Sequence, residues 1–379
     1  MAAVIMNRAI KYRAYPTDEQ AVLFAKTFGC VRYIWNQMLG DSIRFYEETD
    51  THFIPTPAKY KNSAPFLKEV DSLALCNAQM ALEKSYTSFF AQNSGFPEFK
   101  SKKKCKNSYT TNRQDTQSKN GTCRPTVYLG KNFVHLPKVG DVRIAKHRSP
   151  KNGWRLKSAT IERTPTGKYF ISVLYEFTED IQPAPIQEAL GLDYSSPSFY
   201  VDSNGCVAEY PRYYRQTEAR LALAQQKLAR MKPGSNNYNK QKLRIARIHE
   251  KIANQRKDFC HALSAAIAKR YDAVFVEDID LRGLAGTLSL GKSTNDNGFG
   301  MFRDMLEYKL AERGKTFLKV ERHYPSSQLC SNCGFQNKEV KDLNVREWTC
   351  PVCGVHHNRD INAATNILNH GIQLALVVA

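Results

Sequence analysis

Long apolar runs are missing from this chain. No stretch of its 379 residues approaches the roughly 18 apolar residues of a membrane-spanning helix. The opening Met1-Ala-Ala-Val-Ile-Met-Asn-Arg8 lacks the apolar core of a secretory signal, and Arg8, Lys11 and Arg13 interrupt the segment with charge. A membrane protein and a secreted disulfide scaffold are therefore disfavoured. The expected location is cytoplasmic, where cysteines stay reduced. Acid is also in short supply. The chain has 36 Asp and Glu against 55 Lys and Arg, a net charge of +19. Such an excess favours a polyanionic partner, above all nucleic acid. It also fits a basic, non-catalytic protein such as a ribosome-associated one. Hydrophobic residues make up 42% of the chain, which suits a globular protein long enough for more than one domain.

Of ten cysteines, six are scattered (Cys30, Cys76, Cys105, Cys123, Cys206, Cys260) and read as ordinary thiols. The other four form Cys330-Ser-Asn-Cys333 and, after sixteen residues, Cys350-Pro-Val-Cys353. This is the ligand spacing of a tetrahedral Cys₄ zinc site. Gly334 and Gly354 come directly after the two pairs, where tight turns need a permissive backbone. Asp360 comes shortly after and opens a helix-like segment with Ile361, Ala364, Ile367 and Leu368.

Taken in order, residues 4 to 15 read as a strand that Pro16 ends. Thr17-Asp-Glu-Gln20 has capping-box spacing, and Phe24, Phe28, Val31, Trp35 and Met38 form one stripe of a long helix. A second helix starts near Asp71 or Ser72, with Leu75, Leu82, Tyr86 and Phe89 on one face. Residues 98 to 124 carry Lys100, Lys102, Lys103, Lys104 and Lys106, a solvated loop or a phosphate contact. Residues 125 to 180 read as short strands punctuated by Gly and Pro, expected to close a small antiparallel barrel to which the first strand returns. Pro183 and Pro185 mark a linker. Then come a hairpin around Asp193, a helix from Thr217 to Met231 and a longer one from Asn237 to Lys269. The pair carries a basic face that includes Arg244, Arg247 and Arg256. Ala273-Val-Phe-Val-Glu277 is a buried strand ending in an acid, and Thr316 to Val320 is another strand.

Asp193 within a strand, Glu277 at a strand end and Asp360 at a helix start can converge from three elements. A two-metal nuclease needs this, because carboxylates must hold two Mg²⁺ ions about 4 Å apart for in-line displacement at phosphorus. Gly286-Thr-Leu-Ser-Leu-Gly291-Lys292-Ser293 matches a P-loop pattern, but no buried strand precedes it directly and no helix comes after it, so nucleotide binding is not expected.

The order Gly191-Leu-Asp193, Val276-Glu277-Asp278, Tyr324-Pro-Ser-Ser-Gln-Leu-Cys330-x-x-Cys333-Gly-Phe, Val345-Arg346-x-Trp348-x-Cys350-Pro-x-Cys353-Gly and His357-x-Arg359-Asp360-x-Asn362-Ala363-Ala364-x-Asn366-Ile367 resembles the TnpB family. The likeness is dense from about 189 to 368 and extends more weakly over most of the remaining chain. It implies a multidomain α/β protein with an all-β barrel and a helical insertion. Its nuclease domain would be RuvC-like, of the ribonuclease-H fold, with an inserted zinc knuckle. The implied division is 1–15 plus 98–182 as a β-barrel wedge domain, 16–97 as a helical recognition insertion, 183–325 plus 357–379 as the nuclease domain, and 326–356 as the knuckle.

The resemblance also implies an RNA-guided, transposon-encoded DNA endonuclease of the prokaryotic cytosol or nucleoid, acting as a monomer in complex with guide RNA and double-stranded target DNA. Guide pairing would read the target, while the protein recognises a short adjacent duplex motif. Asp193, Glu277 and Asp360 would be the catalytic, Mg²⁺-binding acids. Cys330, Cys333, Cys350 and Cys353 would hold structural Zn²⁺. Candidate nucleic-acid contacts are Phe53, Thr56, Ser72, Cys76, Thr111, Lys102, Lys103, Lys104, Arg244, Arg247 and Arg359. Two departures stand out: Tyr194-Ser195-Ser196 comes after the first acid, where relatives often have a small residue and Gly, and Asn358 stands where many have Asp. The rival readings are a non-catalytic, zinc-containing nucleic-acid-binding regulator of transposition and a strand-joining transposase.

Overall fold

A computed structural model describes residues 4–117, 123–196, 198–280, 283, 296, 298–342 and 344–378. The chain divides into two compact units, Met1–Asp180 and Ile181–Ala379. The P-loop-like stretch at 286–293 lies outside the described residues.

The first unit is built on β1 (Val4–Tyr15), an alternating strand whose Ile10, Tyr12 and Ala14 are buried. Two helices come next, α1 (Asp18–Thr49) and α2 (Ser72–Phe90). Thr17 caps α1 in a reciprocal capping box: its hydroxyl accepts from Gln20 N (3.3 Å), and Gln20 Oε1 accepts from Thr17 N (3.1 Å). Phe24 and Phe28 near the start of α1 pack on the sheet, while Ile34, Trp35, Met38 and Leu39 pack with α2 residues Leu75, Ala78, Leu82 and Tyr86. The expected apolar stripe thus serves two cores along one helix.

The remaining strands of this unit are β2 (Asn107–Asn112), β3 (Asp115–Gln117), β4 (Cys123–Pro125), β5 (Tyr128–Leu129), β6 (Phe133–Leu136), β7 (Gly140–Ala145), β8 (Arg155–Arg163) and β9 (Tyr169–Glu179). The first strand does return: β1 pairs antiparallel with both β9 and β7. The sheet has the order β2-β8-β9-β1-β7-β6-β5. It is not the closed barrel expected. Its edges, β2 and β5, do not pair with each other among the described residues, and the chain between them forms a separate ribbon, β3–β4. Strand β2 falls in what read as a polar loop. Its sequence, Asn-Ser-Tyr-Thr-Thr-Asn, hides the signal, because one of its two inward positions is Thr111 beside Tyr109.

The second unit contains β10 (Ala189–Tyr194), β11 (Tyr200–Asp202), β12 (Val207–Ala208), α3 (Tyr213–Ala229), α4 (Asn236–Arg270), β13 (Ala273–Glu277), α5 (Phe299–Ala311), β14 (Thr316–Val320), the short hairpin β15 (Glu347–Thr349) and β16 (His356–Asn358), and α6 (Arg359–Val378). Strand order is β12-β11-β10-β13-β14, with β10, β13 and β14 parallel and β11 and β12 antiparallel additions. Alternation along β13 sorts its side chains. Val274 and Val276 join Cys260, Ile267, Phe302 and Leu306 of α4 and α5; Ala273 and Phe275 join Ile367, Leu368 and Ile372 of α6. Both faces are covered, which is why this strand reads as an unbroken apolar run. Leu221 and Ala224 of α3 meet Ile248 and Ile252 of α4. Lys227, Arg230, Lys240, Arg244 and Arg247 lie on that pair. Arg256 does not join their basic face, because its guanidinium is spent on Asp296 (Nε to the carbonyl, 2.6 Å).

Candidate active site and metal centre

Two four-residue turns bring the cysteines together. In each, the glycine after the pair donates to the first cysteine's carbonyl, Gly334 N to Cys330 O and Gly354 N to Cys350 O, both 2.9 Å. Both glycines adopt left-handed φ, +76° and +71°, a conformation that costs glycine little. All four sulfurs lie within 4.8 Å of one another. The cross-turn pairs Cys330–Cys353 and Cys333–Cys350 are each 3.6 Å apart. Sulfurs at the corners of a zinc tetrahedron, about 2.3 Å from the ion, stand roughly 3.8 Å apart. The donor set and spacing therefore fit structural zinc. The Val355 backbone N–H, ahead of the Asn332 side chain, draws the Cys353 thiol down to about 6, toward the thiolate that a metal requires.

The acids are placed by tertiary structure. Asp193 sits near the end of β10 and Glu277 ends its parallel neighbour β13, one step beyond the pair Leu192–Val276. Asp360 lies in the first turn of α6. Asn358 starts that helix, its Oδ1 accepting from Asp360 N (3.1 Å) and Ile361 N (3.2 Å). Asn caps as well as Asp, so this departure from the family pattern keeps the helix start intact. The helix reaches β10 because position 191 is glycine. A Cβ there would stand 2.1 Å from the Ala364 carbonyl oxygen and 2.8 Å from Leu368 N. Gly371 plays the same part against the Phe275 ring, 2.2 Å from its would-be Cβ.

Asp193 is enclosed by protein yet keeps partial solvent access. Burial pushes its carboxyl well above the usual range; the charges of Glu277 and Asp360 add to the rise, and Arg359 opposes it. Burial, and then Asp278, also raises Glu277. Neither Asp193 nor Glu277 has a side-chain hydrogen bond or ion pair among the described residues, whereas the next acid, Asp278, lies between Arg303 (3.9 Å) and Arg322 (3.7 Å). Asp360 lies 3.7 Å from Arg346, which the hairpin β15–β16 brings in just before Glu347. Asp193 is thus close enough to Glu277 and Asp360 to feel their charge. Among the described residues, the metal-ligating group already gathered is that of the four sulfurs, which lie within 4.8 Å of one another. After Asp193, Tyr194 turns its ring onto Phe299 (centroids 4.8 Å) and Ser195 is buried, so the altered neighbours pack inward.

The candidate contact residues separate by exposure. Phe53, Ser72, Cys76, Lys102, Lys103 and Lys104 are among the exposed ones, and Thr56 lies just ahead of a short turn of helix at Pro57–Tyr60. Thr111 is not exposed: it is fully buried and its hydroxyl donates to Asp71. Because Asp71 also caps α2, accepting from Leu73 N at 3.0 Å, Thr111 secures a helix to the sheet rather than facing a ligand. Arg359 is likewise 8% exposed, with Nη1 donating to Asp342 O at 2.8 Å, so it braces the knuckle beside Asp193 and is not open to a phosphate. Sequence reasoning assigned no role to His357, Asn362 or Asn366. All three are buried. Their place in the polar segment directly after the second cysteine pair is the signal that could have singled them out.

Three family models match the chain: "Helix-turn-helix domain" over residues 6–51, "Probable transposase" over 172–288, and "Cas12f1-like, TNB domain" over 299–367. The first of these segments folds here as β1 and the single helix α1. A "Putative RNA-guided DNA endonuclease" of Streptomyces pristinaespiralis is 36% identical over 375 residues, 97% of this chain and 90% of the relative. The "Putative RNA-guided DNA endonuclease InsQ" of Escherichia coli K12 is 29% identical, covering 96% of this chain and 92% of that one. Among solved structures, the chain in a Cas12f1–sgRNA–target DNA complex aligns with a TM-score of 0.56 at 12% identity, over 97% of this chain and 99% of that one, a likeness of fold. With the two cysteine pairs and the three acids lying inside a match that spans nearly the full length of both proteins, the chain belongs to the TnpB family.

Proposed function

We propose that the chain is an RNA-guided DNA endonuclease that hydrolyses DNA phosphodiesters at Asp193, Glu277 and Asp360. The observation that carries this is the pair of uncommitted, enclosed carboxylates at adjacent parallel strand ends, with Asp360 interacting from α6. The names of the relatives and the Cas12f1-like fold support it. The β12-β11-β10-β13-β14 order, with helices on both faces, supports a RuvC-like, ribonuclease-H-fold assignment.

Carboxylate oxygens suit Mg²⁺, a hard cation that, when bound, neutralises developing charge on phosphate and activates water. Carboxylates converging from three elements suit a pair of such ions. Asp193 and Glu277 would hold the metal from the sheet, and Asp360 would join them from α6. Asp278, held by Arg303 and Arg322, stays outside it.

The proposed division is a wedge domain of 1–15 with 98–182, a helical recognition insertion of 16–97, a nuclease domain of 183–325 with 357–379, and a knuckle of 326–356. Lys102, Lys103, Lys104, Arg244 and Arg247 would contact nucleic-acid backbones, with Phe53, Thr56, Ser72 and Cys76 nearer the duplex motif. The protein would act in the cytoplasm, as a monomer bound to transposon-derived RNA.

The test is to sequence the RNA that copurifies with the full chain and to supply DNA matching it. Mg²⁺-dependent cutting of matched but not scrambled DNA is the expected result. Tight binding of RNA and DNA without cutting at any Mg²⁺ concentration would instead make the chain a regulator.

A further inference from the structure

Residues 326–331 lead into the first cysteine turn and carry Cys330, and α6 holds this run at several points. Asn366 Nδ2 donates to Ser326 O and to Leu329 O, each at 2.7 Å. Asn362 Nδ2 donates to Leu329 O at 2.7 Å, and its Oδ1 accepts from Ser331 N at 3.0 Å. The two asparagines are 2% and 5% exposed, one turn apart on one helix face. Just before the helix, His357 Nε2 lies 3.0 Å from Cys330 Sγ. Buried backbone groups must find partners, and in this irregular run the helix side chains supply them. The same first turns of α6 carry Asp360. The run bearing Cys330 and the helix start bearing Asp360 therefore cannot shift independently.

We infer that Asn362 and Asn366 are positioning residues that couple the four-cysteine centre to the acids, so that metal loading at the cysteines sets the affinity of the acids for Mg²⁺. The inference rests on the nuclease reading above. Loading orders residues 326–331; the asparagines transmit that order to α6; Asp360 is then held where it completes the carboxylate set. Coupling of this kind is reciprocal, so Mg²⁺ should in turn tighten the hold on the cysteine-bound metal.

The experiment compares the wild-type ribonucleoprotein with Asn362→Ala, Asn366→Ala and the double variant. Each is loaded with Co²⁺ at the cysteines, whose thiolate charge-transfer bands report that centre directly, and then titrated with Mg²⁺ while cleavage of matched DNA is monitored. The expected result is an unchanged Co²⁺ spectrum, a half-saturating Mg²⁺ concentration raised about tenfold, and a maximal rate at saturating Mg²⁺ within about threefold of wild type. Stripping the cysteine metal from wild type should raise the Mg²⁺ requirement similarly and change the double variant little further. Should the double variant not fold, Asn362→Ser, which keeps an acceptor, carries the same comparison. An unchanged Mg²⁺ requirement in folded, metal-loaded variants overturns the coupling alone. A wild-type protein that neither cuts nor responds to Mg²⁺ overturns the nuclease reading, and the coupling with it.

Discussion

The four sulfurs come from two short turns, each pair closed by its own glycine and backbone hydrogen bonds. The three carboxylates come from β10, β13 and α6, elements far apart in the chain. The sulfurs crowd within 4.8 Å, and the Val355 N–H draws the Cys353 thiol down while burial raises that of Cys330. Burial makes ionisation of Asp193 and Glu277 costly; the charges of Glu277 and Asp360 add to the cost at Asp193, and Asp278 adds to it at Glu277. A locally built, compact, satisfied cluster suits an ion that holds structure. A convergent set, in which Asp193 and Glu277 have no side-chain partner among the described residues, would keep electrostatic demand for ions.

The largest expected effect separates the two clusters by activity. Alanine at Asp193, Glu277 or Asp360 should lower cleavage by about a thousandfold or more while guide RNA remains bound. Gel-based cleavage and RNA retention measured on the same preparation check this, and residual cutting in both Asp193→Ala and Glu277→Ala would remove the acids from the site. The converse perturbation is zinc removal. A strong chelator, or Cys350→Ser, should lower Tm by about 10 °C, equivalent to roughly 3 kcal/mol for a unit of this size. A melting curve indifferent to the chelator would mean that the knuckle folds without metal.

Gly191→Ala probes the convergence itself. The new Cβ meets backbone that has no side-chain freedom to yield, 2.1 Å from Ala364 O, so a loss of about 2–4 kcal/mol is expected, with cleavage falling even where the protein stays folded. An unaffected variant would mean that α6 need not seat so closely. The smallest effect concerns the charge on Asp193. Its folded-state carboxyl is raised, so the native chain keeps the proton to higher pH than the unfolded chain. The stability it contributes is complete below the ordinary carboxylate range and is lost as pH rises through the raised value. Asp193→Asn should therefore raise Tm near pH 7 by about 2–4 °C in Mg²⁺-free buffer that leaves the cysteine metal in place, a gain that shrinks toward pH 4. Mg²⁺ should stabilise wild type more than the variant. A variant no more stable than wild type at pH 7 would show that the carboxylate is not under this strain.

Much of the fold was legible where the signal is local. The Thr17 capping box, the α1 stripe and the apolar run of β13 all appear as their residues indicate, because capping and side-chain period act over a few positions. Strand β2 was not legible, since Ser, Thr and Asn carry no apolar alternation and only pairing with β8 makes them a strand. Barrel closure failed for a related reason. Strand runs can be counted along a chain, but which edges pair is settled by the twist and register of the whole sheet. Thr111 and Arg359 looked available for nucleic acid until their burial placed them against Asp71 and Asp342.

By itself, the sequence determined the spacing of the cysteine centre and the basic character, and it pointed to the three acids proposed as the site. Ligand spacing, net charge and motif order are readable along the chain, because each depends only on residue type and position. Tertiary structure alone decided that Gly191 and Gly371 let α6 approach the sheet, that Asp278 is spent on arginines while Glu277 stays open, and that Asn362 and Asn366 join the knuckle to the helix of Asp360. The physical reason is distance: close approach, burial and charge coupling act through space between segments that the chain keeps far apart.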